Sequence, residues 1–424
     1  MHVVIVGNGA AALSALESFR EHDRDSRVTL VSGEQGPAYS RVLLPYYLRR
    51  RLSRDGLFIR RADDYARLGA ATEFGVRAEG VDPARRVLEL ADGRRLGFDR
   101  LLIATGSSPM RPPIPGLDGP GVHTLWTLDD AVRLDSVFRE GARLVVLGSG
   151  FVALQAAWAA RQRGLRVSVI ELLDQIQPRV LDPAAAQMLS ERLHACDVEV
   201  RTGTRAERVE TDRRGGVHVS TSGGDRLPAD AVIVATGARP NDQLLPECLE
   251  PDRPGIPVAD TMETVVSGVY AAGDVTRGPT ARGGPREIHA LWPTAVEQGR
   301  VAGANLAGAG RSYGGSLSMN VTEMFDLTVA SLGQFVEDEG DDVFEEHDRG
   351  GIRYMKIVTR AGVPLGAIAM GAPEGAVLLG RLRPFVRHRR ALPDLPAFLA
   401  REDLDGRLAH RSAAKERTSC ASLQ

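Results

Sequence analysis

The feature that most constrains this chain is a pattern that occurs twice. Residues 3–34 read VVIVGNGAAALSALESFREHDRDSRVTLVSGE, and residues 144–171 read LVVLGSGFVALQAAWAARQRGLRVSVIE. Each copy opens with a short apolar run, passes through a glycine-rich turn into an alanine-rich stretch of helical length, and closes on a second apolar run that ends near an acid. A continuous apolar run bounded by glycine reads as a strand covered on both faces. Such strands lie in parallel sheets, which need a helical crossover between neighbours. The chain therefore builds a βαβ unit twice.

Two further strands close in the same way. DRLLIATGSSP (99–109) and DAVIVATGARP (230–240) both end on Ala-Thr-Gly, one after each unit, so the domain plan is itself duplicated. The Pro/Gly-rich stretch PMRPPIPGLDGPG (109–121) reads as the crossing from the first domain to the second, and GVYAAGDVT (268–276) as the strand that returns the chain to the first. HALWPTAVEQGRVAGANLAG (289–308) reads as a helix that starts near Pro293 and ends at Gly308. From about residue 319 onward apolar and polar residues alternate between short turns, the signature of an antiparallel sheet.

These signals predict an α/β protein with two Rossmann-like dinucleotide-binding domains and a small, mainly antiparallel C-terminal domain. The first binding domain is discontinuous, over 1–110 and 246–318; the second is inserted over 111–245; the third covers 319–410; and 411–424 is a polar, disordered tail.

The glycines carry the chemistry. GNGAAA places Gly7, Gly9 and Ala12 in the G-x-G-x-x-G/A spacing, with Ala10 opening the helix, and Glu34 follows Ala12 by 22 residues. The first glycine makes the tight turn, the second lets a pyrophosphate approach the backbone, and the third small residue lets helix and strand pack closely. The phosphates then sit on free helix amides, and the acid accepts from a ribose. GSGFVA repeats the spacing with Gly148, Gly150 and Ala153, and Glu171 follows Ala153 by 18 residues. A carboxylate there repels a 2′-phosphate. Leu172 and Leu173 come next, with no arginine to neutralise one, so NADH is favoured over NADPH.

Composition excludes several other classes. Lys+Arg number 53 against 55 Asp+Glu, a net charge of -2 that gives no reason to expect nucleic acid or an anionic membrane. The opening residues run straight into a strand, without a signal-peptide pattern, and no apolar run is long enough to span a bilayer, so a cytoplasmic protein is expected. Cys196, Cys248 and Cys420 have neither redox-pair nor metal-knuckle spacing, and the nine histidines show no metal spacing; no metal is expected.

Two dinucleotide units, two ATG strand ends and GVYAAGD, in that order over roughly residues 1–310, resemble the two-domain FAD/NAD(P) flavoproteins of the pyridine nucleotide-disulfide oxidoreductase superfamily. The resemblance implies FAD at the first unit and NADH at the second. It places Thr105, Gly106, Gly273 and Asp274 at FAD, Asp274 toward the ribityl chain, and Gly237 in the NADH pocket. It also aims the helix near Pro293 at the flavin pyrimidine edge, with Trp292 and Thr294 close to the ring.

PAYSRVLLPYYL (37–48) resembles a flavin-proximal segment of ferredoxin reductases and nitrite reductase flavin domains, with Tyr39 and Arg41 in matching places and Arg41 a flavin or FAD-phosphate contact. It equally resembles the segment of coenzyme A-disulfide reductases in which a catalytic cysteine stands where this chain has Val42. Valine cannot do thiolate chemistry. No catalytic protein residue is therefore expected: hydride passes from NADH to the flavin, and electrons leave it without a protein disulfide.

By the same resemblance the acceptor is a small iron-sulfur carrier, a ferredoxin or rubredoxin. The alternatives are direct reduction of a small molecule, or service as the flavin subunit of a larger oxidoreductase complex. The C-terminal domain is an interface in that branch, which allows a homodimer. Arginines at 49, 50, 51, 54, 60 and 61, and again at 381, 383, 387, 389 and 390, read either as docking surface for an acidic carrier or as an ordinary solvated face.

Overall fold

A computed structural model describes residues 1–212, 216–246, 253–349, 352–392 and 394–400. The predicted tail at 411–424, Cys248 and Cys420 lie outside the described residues.

The first sheet is wholly parallel. It contains β1 (His2–Val6), β2 (Arg27–Ser32), β3 (Ala70–Phe74), β4 (Arg100–Ile103) and, from much later in the chain, β12 (Val269–Ala271), in the order β12-β4-β1-β2-β3. Val3, Val4 and Ile5 of β1 are fully buried, as expected of a strand covered on both faces. Helix α1 (Ala10–His22) crosses from β1 to β2.

The second sheet repeats this plan. Its strands are β6 (Val122–His123), β7 (Arg143–Leu147), β8 (Arg166–Ile170), β9 (Val198–Arg201) and β10 (Ala231–Val234), in the order β9-β8-β7-β10-β6. Helix α4 (Phe151–Gln162) makes its first crossover, α3 (Leu128–Val137) precedes β7, and α5 (Pro183–Ala195) leads into β9. The fifth strand of the first sheet comes from beyond the second sheet, and the fifth strand of the second from just before it. Two short strands, β5 (Ser107–Pro109) and β11 (Ala238–Pro240), pair antiparallel where the chain enters and leaves the second sheet.

α6 (Trp292–Leu306) lies on α1 at unusually close range. A Cβ on Gly299 would stand 2.3 Å from the Ala11 carbonyl oxygen, and one on Gly303 2.2 Å from that of Ala15, so the two helices touch backbone to backbone. Alanines on α1 and glycines on α6 are what allow it.

The C-terminal unit is a five-stranded antiparallel sheet of β13 (Met319–Met324), β14 (Leu327–Gly333), β15 (Asp342–Arg349), β16 (Ile352–Arg360) and β17 (Val363–Gly371), in the order β13-β14-β17-β16-β15. Alternation predicted these strands but not α7 (Glu374–His388), which covers one face through Leu378, Leu379, Leu382 and Val386. The β13–β14 hairpin carries Met324 and Phe325 at its tip. Both are buried in a cluster that also holds Leu44 and Leu48 of α2 (Leu44–Leu48) and Trp158 of α4, so one core spans all three parts of the chain.

Candidate functional site

The glycine turn after β1 lies at the C-terminal edge of the first sheet, where open parallel sheets bind ligands. Gly7 has φ +124°, and a Cβ on it would lie 2.1 Å from the Ala104 carbonyl oxygen, so only glycine fits. Gly9 is the N-cap of α1, with open space where its Cβ would stand. The first turn of α1 has neither a side-chain cap nor an acid. Uncapped amides with room in front of them are a cradle for an anion. Ala10 begins α1, and Ala12 is fully buried against the sheet.

Glu34 stands just past β2. It accepts from the Tyr39 hydroxyl at 2.5 Å and pairs with Arg41, whose guanidinium lies over the Trp126 ring at 5.9 Å. The Tyr39 oxygen also accepts from the Leu128 amide, the first residue of α3, at 2.9 Å. Burial, then the Glu34 carboxylate, push the Tyr39 phenol well above its ordinary range.

Thr105 and Gly106 follow β4, and Gly106 has φ +68° with nothing in front of its Cβ position. Gly273 and Asp274 follow β12. The Asp274 carboxylate accepts from the Ser107 hydroxyl at 2.8 Å, and burial pushes its pKa up, opposed by that bond, by the nearby Arg41 and by its own backbone amide. A half-buried carboxyl with spare acceptor capacity fits a polyhydroxyl chain. The Gly273 amide donates to Gln298 Oε1 at 2.8 Å, and the Thr276 hydroxyl donates to the same oxygen at 3.0 Å. Gln298, on α6, thus fixes the turn that carries Asp274.

α6 points an uncapped N-terminus, with proline in the first turn and no acid, toward this edge. Trp292 is 38% exposed, a surface residue at the helix start rather than core. Thr294 is buried in the first turn of the helix. Val42 is 60% exposed on the short 3-10 turn Arg41–Leu43.

The second glycine turn repeats the first. Gly148 has φ +99°, and a Cβ there would lie 2.5 Å from the Ala235 carbonyl oxygen; Gly150 caps α4 with open space before it, again without a side-chain cap or acid. Ala153 is fully buried and Gly237 has φ +116°. Glu171, at the end of β8, is turned inward. It is 8% exposed; its Oε2 accepts from the Ser149 amide at 2.9 Å and hydroxyl at 2.5 Å, and its Oε1 from the Leu173 amide at 3.0 Å. Ser149 Oγ accepts in turn from the Gln177 amide at 3.1 Å. The acid expected to read the ribose is locked onto the loop expected to hold the pyrophosphate. Leu172 and Leu173, 60% and 51% exposed, flank it with apolar surface.

The structure thus gathers the first set of expected residues at one sheet edge and the second at another, joined by β5 and β11. Sequence reasoning missed Ser107, Trp126, Ser149 and Gln298. Ser107 and Ser149 were the accessible ones, each a small polar residue inside or beside a glycine motif. Gln298 carries no local signal. Of the arginine clusters, Arg49 is buried, Arg50 pairs with Asp135, Arg60 with Glu17, and Arg383 and Arg387 with Glu297 of α6. These five are internal or paired, whereas Arg389 and Arg390 are exposed. Among the described residues there is no group of acids, histidines and cysteines that could hold a metal, and no helix long and apolar enough to cross a membrane.

Residues 1–299 match the family model described as pyridine nucleotide-disulphide oxidoreductase. The NADH-dependent phenylglyoxylate dehydrogenase subunit epsilon of Aromatoleum evansii is 33% identical over 370 residues, 86% of this chain and 87% of that one. The ferredoxin–NAD(+) reductase component of the p-cumate 2,3-dioxygenase system of Pseudomonas putida is 31% identical over 311 residues, 73% and 76% of the two chains. Among solved structures, the putidaredoxin reductase of the covalent putidaredoxin reductase–putidaredoxin complex superposes with TM-score 0.85 at 25% identity, over 98% of this chain and 99% of that one.

Proposed function

Because the chain belongs to the pyridine nucleotide-disulphide oxidoreductase family, we propose that it is an FAD-dependent NADH oxidoreductase that passes electrons to a ferredoxin- or rubredoxin-type carrier. FAD, when bound, supplies a two-electron acceptor for hydride that can hand electrons on singly. The residues present fit it. The open face of Gly9 and the bare first turn of α1 would take the pyrophosphate, Glu34 the ribose, Asp274 the ribityl hydroxyls, and the N-terminus of α6 the pyrimidine edge, where its dipole favours negative charge. Gly150, the first turn of α4 and Glu171 would hold NADH. Thr105, Gly106, Gly273, Trp292 and Gly237 line the approaches to the two sites. Arg41, within electrostatic reach of Asp274 and paired with Glu34, would lie along the flavin side.

The observation that carries the reading is the exposed valine at position 42, in a segment resembling one that elsewhere bears a reactive thiol. No thiol stands on that turn, so electrons leave the flavin without a protein disulfide. Ferredoxin reductase components among the relatives support an iron-sulfur acceptor. Three sparse cysteines, of which Cys196 is a thiol at the end of α5, fit a reducing compartment, so the cytoplasm is proposed as its location.

A second reading has its own support. Similarity to the phenylglyoxylate dehydrogenase subunit extends over 86% of this chain, against 73% for the p-cumate reductase component. In that reading the chain is the NADH-facing flavin subunit of a larger oxidoreductase.

Purified protein should be yellow with one FAD per chain. Stopped-flow mixing with NADH should bleach the flavin, and a reduced sample should recolour on addition of ferredoxin or rubredoxin. A protein that takes up no FAD on reconstitution refutes the reading. Bleaching by NADH with transfer only to co-purifying subunits selects the second.

A further inference from the structure

Arg49 follows directly after α2. It is 8% exposed, and its guanidinium carbon lies 4.2 Å from the Tyr46 ring centroid and 3.9 Å from that of Trp158 on α4. Its Nε and Nη2 are buried without a hydrogen-bond partner. Trp158 in turn stacks on Phe325 at 5.9 Å with 29° between the planes. Phe325 and Asp326, the two turn residues of the hairpin, both have left-handed backbone, φ +51° and +62°, a conformation that an aspartate tolerates and a phenylalanine does not favour. The row Tyr46–Arg49–Trp158–Phe325 therefore runs from the first domain through the second to the tip of the C-terminal hairpin.

Around it side-chain hydrogen bonds tie the three parts together, although Gln155 Oε1 is also buried without a partner. Arg163 at the end of α4 donates to the Leu48 carbonyl at 3.2 Å and the Phe138 carbonyl at 2.9 Å, and pairs with Asp135 at 2.8 Å; Gln155 donates to Thr322 Oγ1 at 2.9 Å and the Glu323 carbonyl at 2.7 Å. A cation with two unmet donors inside such a junction costs stability relative to an apolar side chain of its size, and a cation between rings has a preferred direction that an apolar side chain lacks. Arg49 is therefore poor as filler and good as a register.

What it registers are two elements at the proposed sites. α2 continues the Arg41–Leu43 turn, whose Arg41 lies within electrostatic reach of Asp274. α4 starts at Gly150. We propose that Arg49 is a positioning residue: stacked between Tyr46 and Trp158, with Phe325 behind, it fixes the NADH-holding helix against the flavin-proximal segment at the distance hydride transfer needs. This rests on the functional reading above.

The test compares wild type with R49M and R49K, loaded with FAD. R49M should bind FAD stoichiometrically, hold NADH with a Kd within about threefold of wild type, and melt no lower, since methionine fills similar space without the two unmet donors. Its limiting rate of flavin reduction at saturating NADH should fall about tenfold, the scale expected of a sub-ångström misplacement. R49K, which keeps the cation but not the planar stack, should fall between.

Independently of turnover, hydrogen exchange in R49M should speed up in α2 and in the β13–β14 hairpin, but not in the first sheet. A limiting rate within twofold of wild type, a loss of rate matched by loss of FAD or of Tm, or unchanged exchange in the hairpin would each overturn the proposal. If wild type itself takes up no NADH electrons, the functional reading fails instead, and the exchange arm still decides whether Arg49 sets the register.

Discussion

Asp274 sets two properties in opposition. Burial holds its folded pKa above the unfolded value of about 3.9, so the ionised form destabilises the cofactor-free fold. That cost is fully present above the folded pKa and vanishes as pH falls below the unfolded one. D274N should therefore leave the Tm of apoprotein unchanged or raise it at pH 7, while weakening FAD about tenfold or more, as expected when a charged acceptor of hydrogen bonds is lost. Calorimetry of the apoprotein and FAD titration measure the two; loss of both together would mean that Asp274 merely holds the turn.

At the other site, E171A should narrow the NADH-over-NADPH preference in kcat/KM by about tenfold, ~1.4 kcal/mol. S149A should narrow it less, through loosening of the Glu171 carboxylate that the serine hydroxyl holds at 2.5 Å. Glu171 was legible in the sequence because its distance from Ala153 is local. Its inward set was not, because Ser149 on the glycine turn after β7 meets it only across the folded sheet edge, and Gln177 fixes that serine only once the loop after β8 has folded back.

The packing of α6 on α1, backbone against backbone, leaves no room for a side chain. G303A places a methyl 2.2 Å from the Ala15 carbonyl oxygen, so the helices must part; overpacking of this kind costs ~1–3 kcal/mol and should lower the Tm by several degrees. Because α6 also carries Gln298 and the N-terminus aimed at the flavin site, FAD retention should fall with it. G380A on α7 makes the control: its Cβ meets nothing within 4 Å and the residue is exposed, so alanine should stabilise by ~0.5–1 kcal/mol through helix propensity alone.

The α6 segment read plainly as a helix from its proline and alanines. That its two glycines serve a backbone contact with residues nearly three hundred positions earlier could not be read, since small residues in a helix look alike whether they face solvent or another helix. α7 went unseen because Pro384 and Gly380 interrupt its pattern, and its helical state rests on Leu378, Leu379 and Leu382 finding the sheet beneath.

For the whole molecule, replacing Cys196, Cys248 and Cys420 together by serine should leave NADH-dependent reduction of a one-electron acceptor within about twofold of wild type, since a thiol relay needs a thiolate at the flavin. A folded, FAD-loaded triple variant without turnover would contradict electron transfer without a disulfide. The duplicated sheets were legible at this scale because each unit repeats a local pattern. The shared core around Trp158 was not, because its members come from three separate stretches of chain.

The paired strands β5 and β11 have a consequence for how such a chain can be rebuilt. The chain leaves the first unit and comes back to it side by side: Ser107 pairs with Pro240 and Pro109 with Ala238. The second unit is entered and left through this one pair of strands, its beginning and end a few ångströms apart, and it packs on the first through the core that Leu44, Leu48 and Trp158 share. A gene that joined residue 109 to residue 238 through a short turn would ask the remaining polypeptide to close only a hairpin. Such an excised chain, with Leu44, Leu48 and Phe325 replaced by polar residues where the second unit had covered them, should still take up FAD and lose its response to NADH. A unit of different nucleotide preference, spliced at the same pair of strands, should change which hydride donor the flavin accepts without altering what it does next.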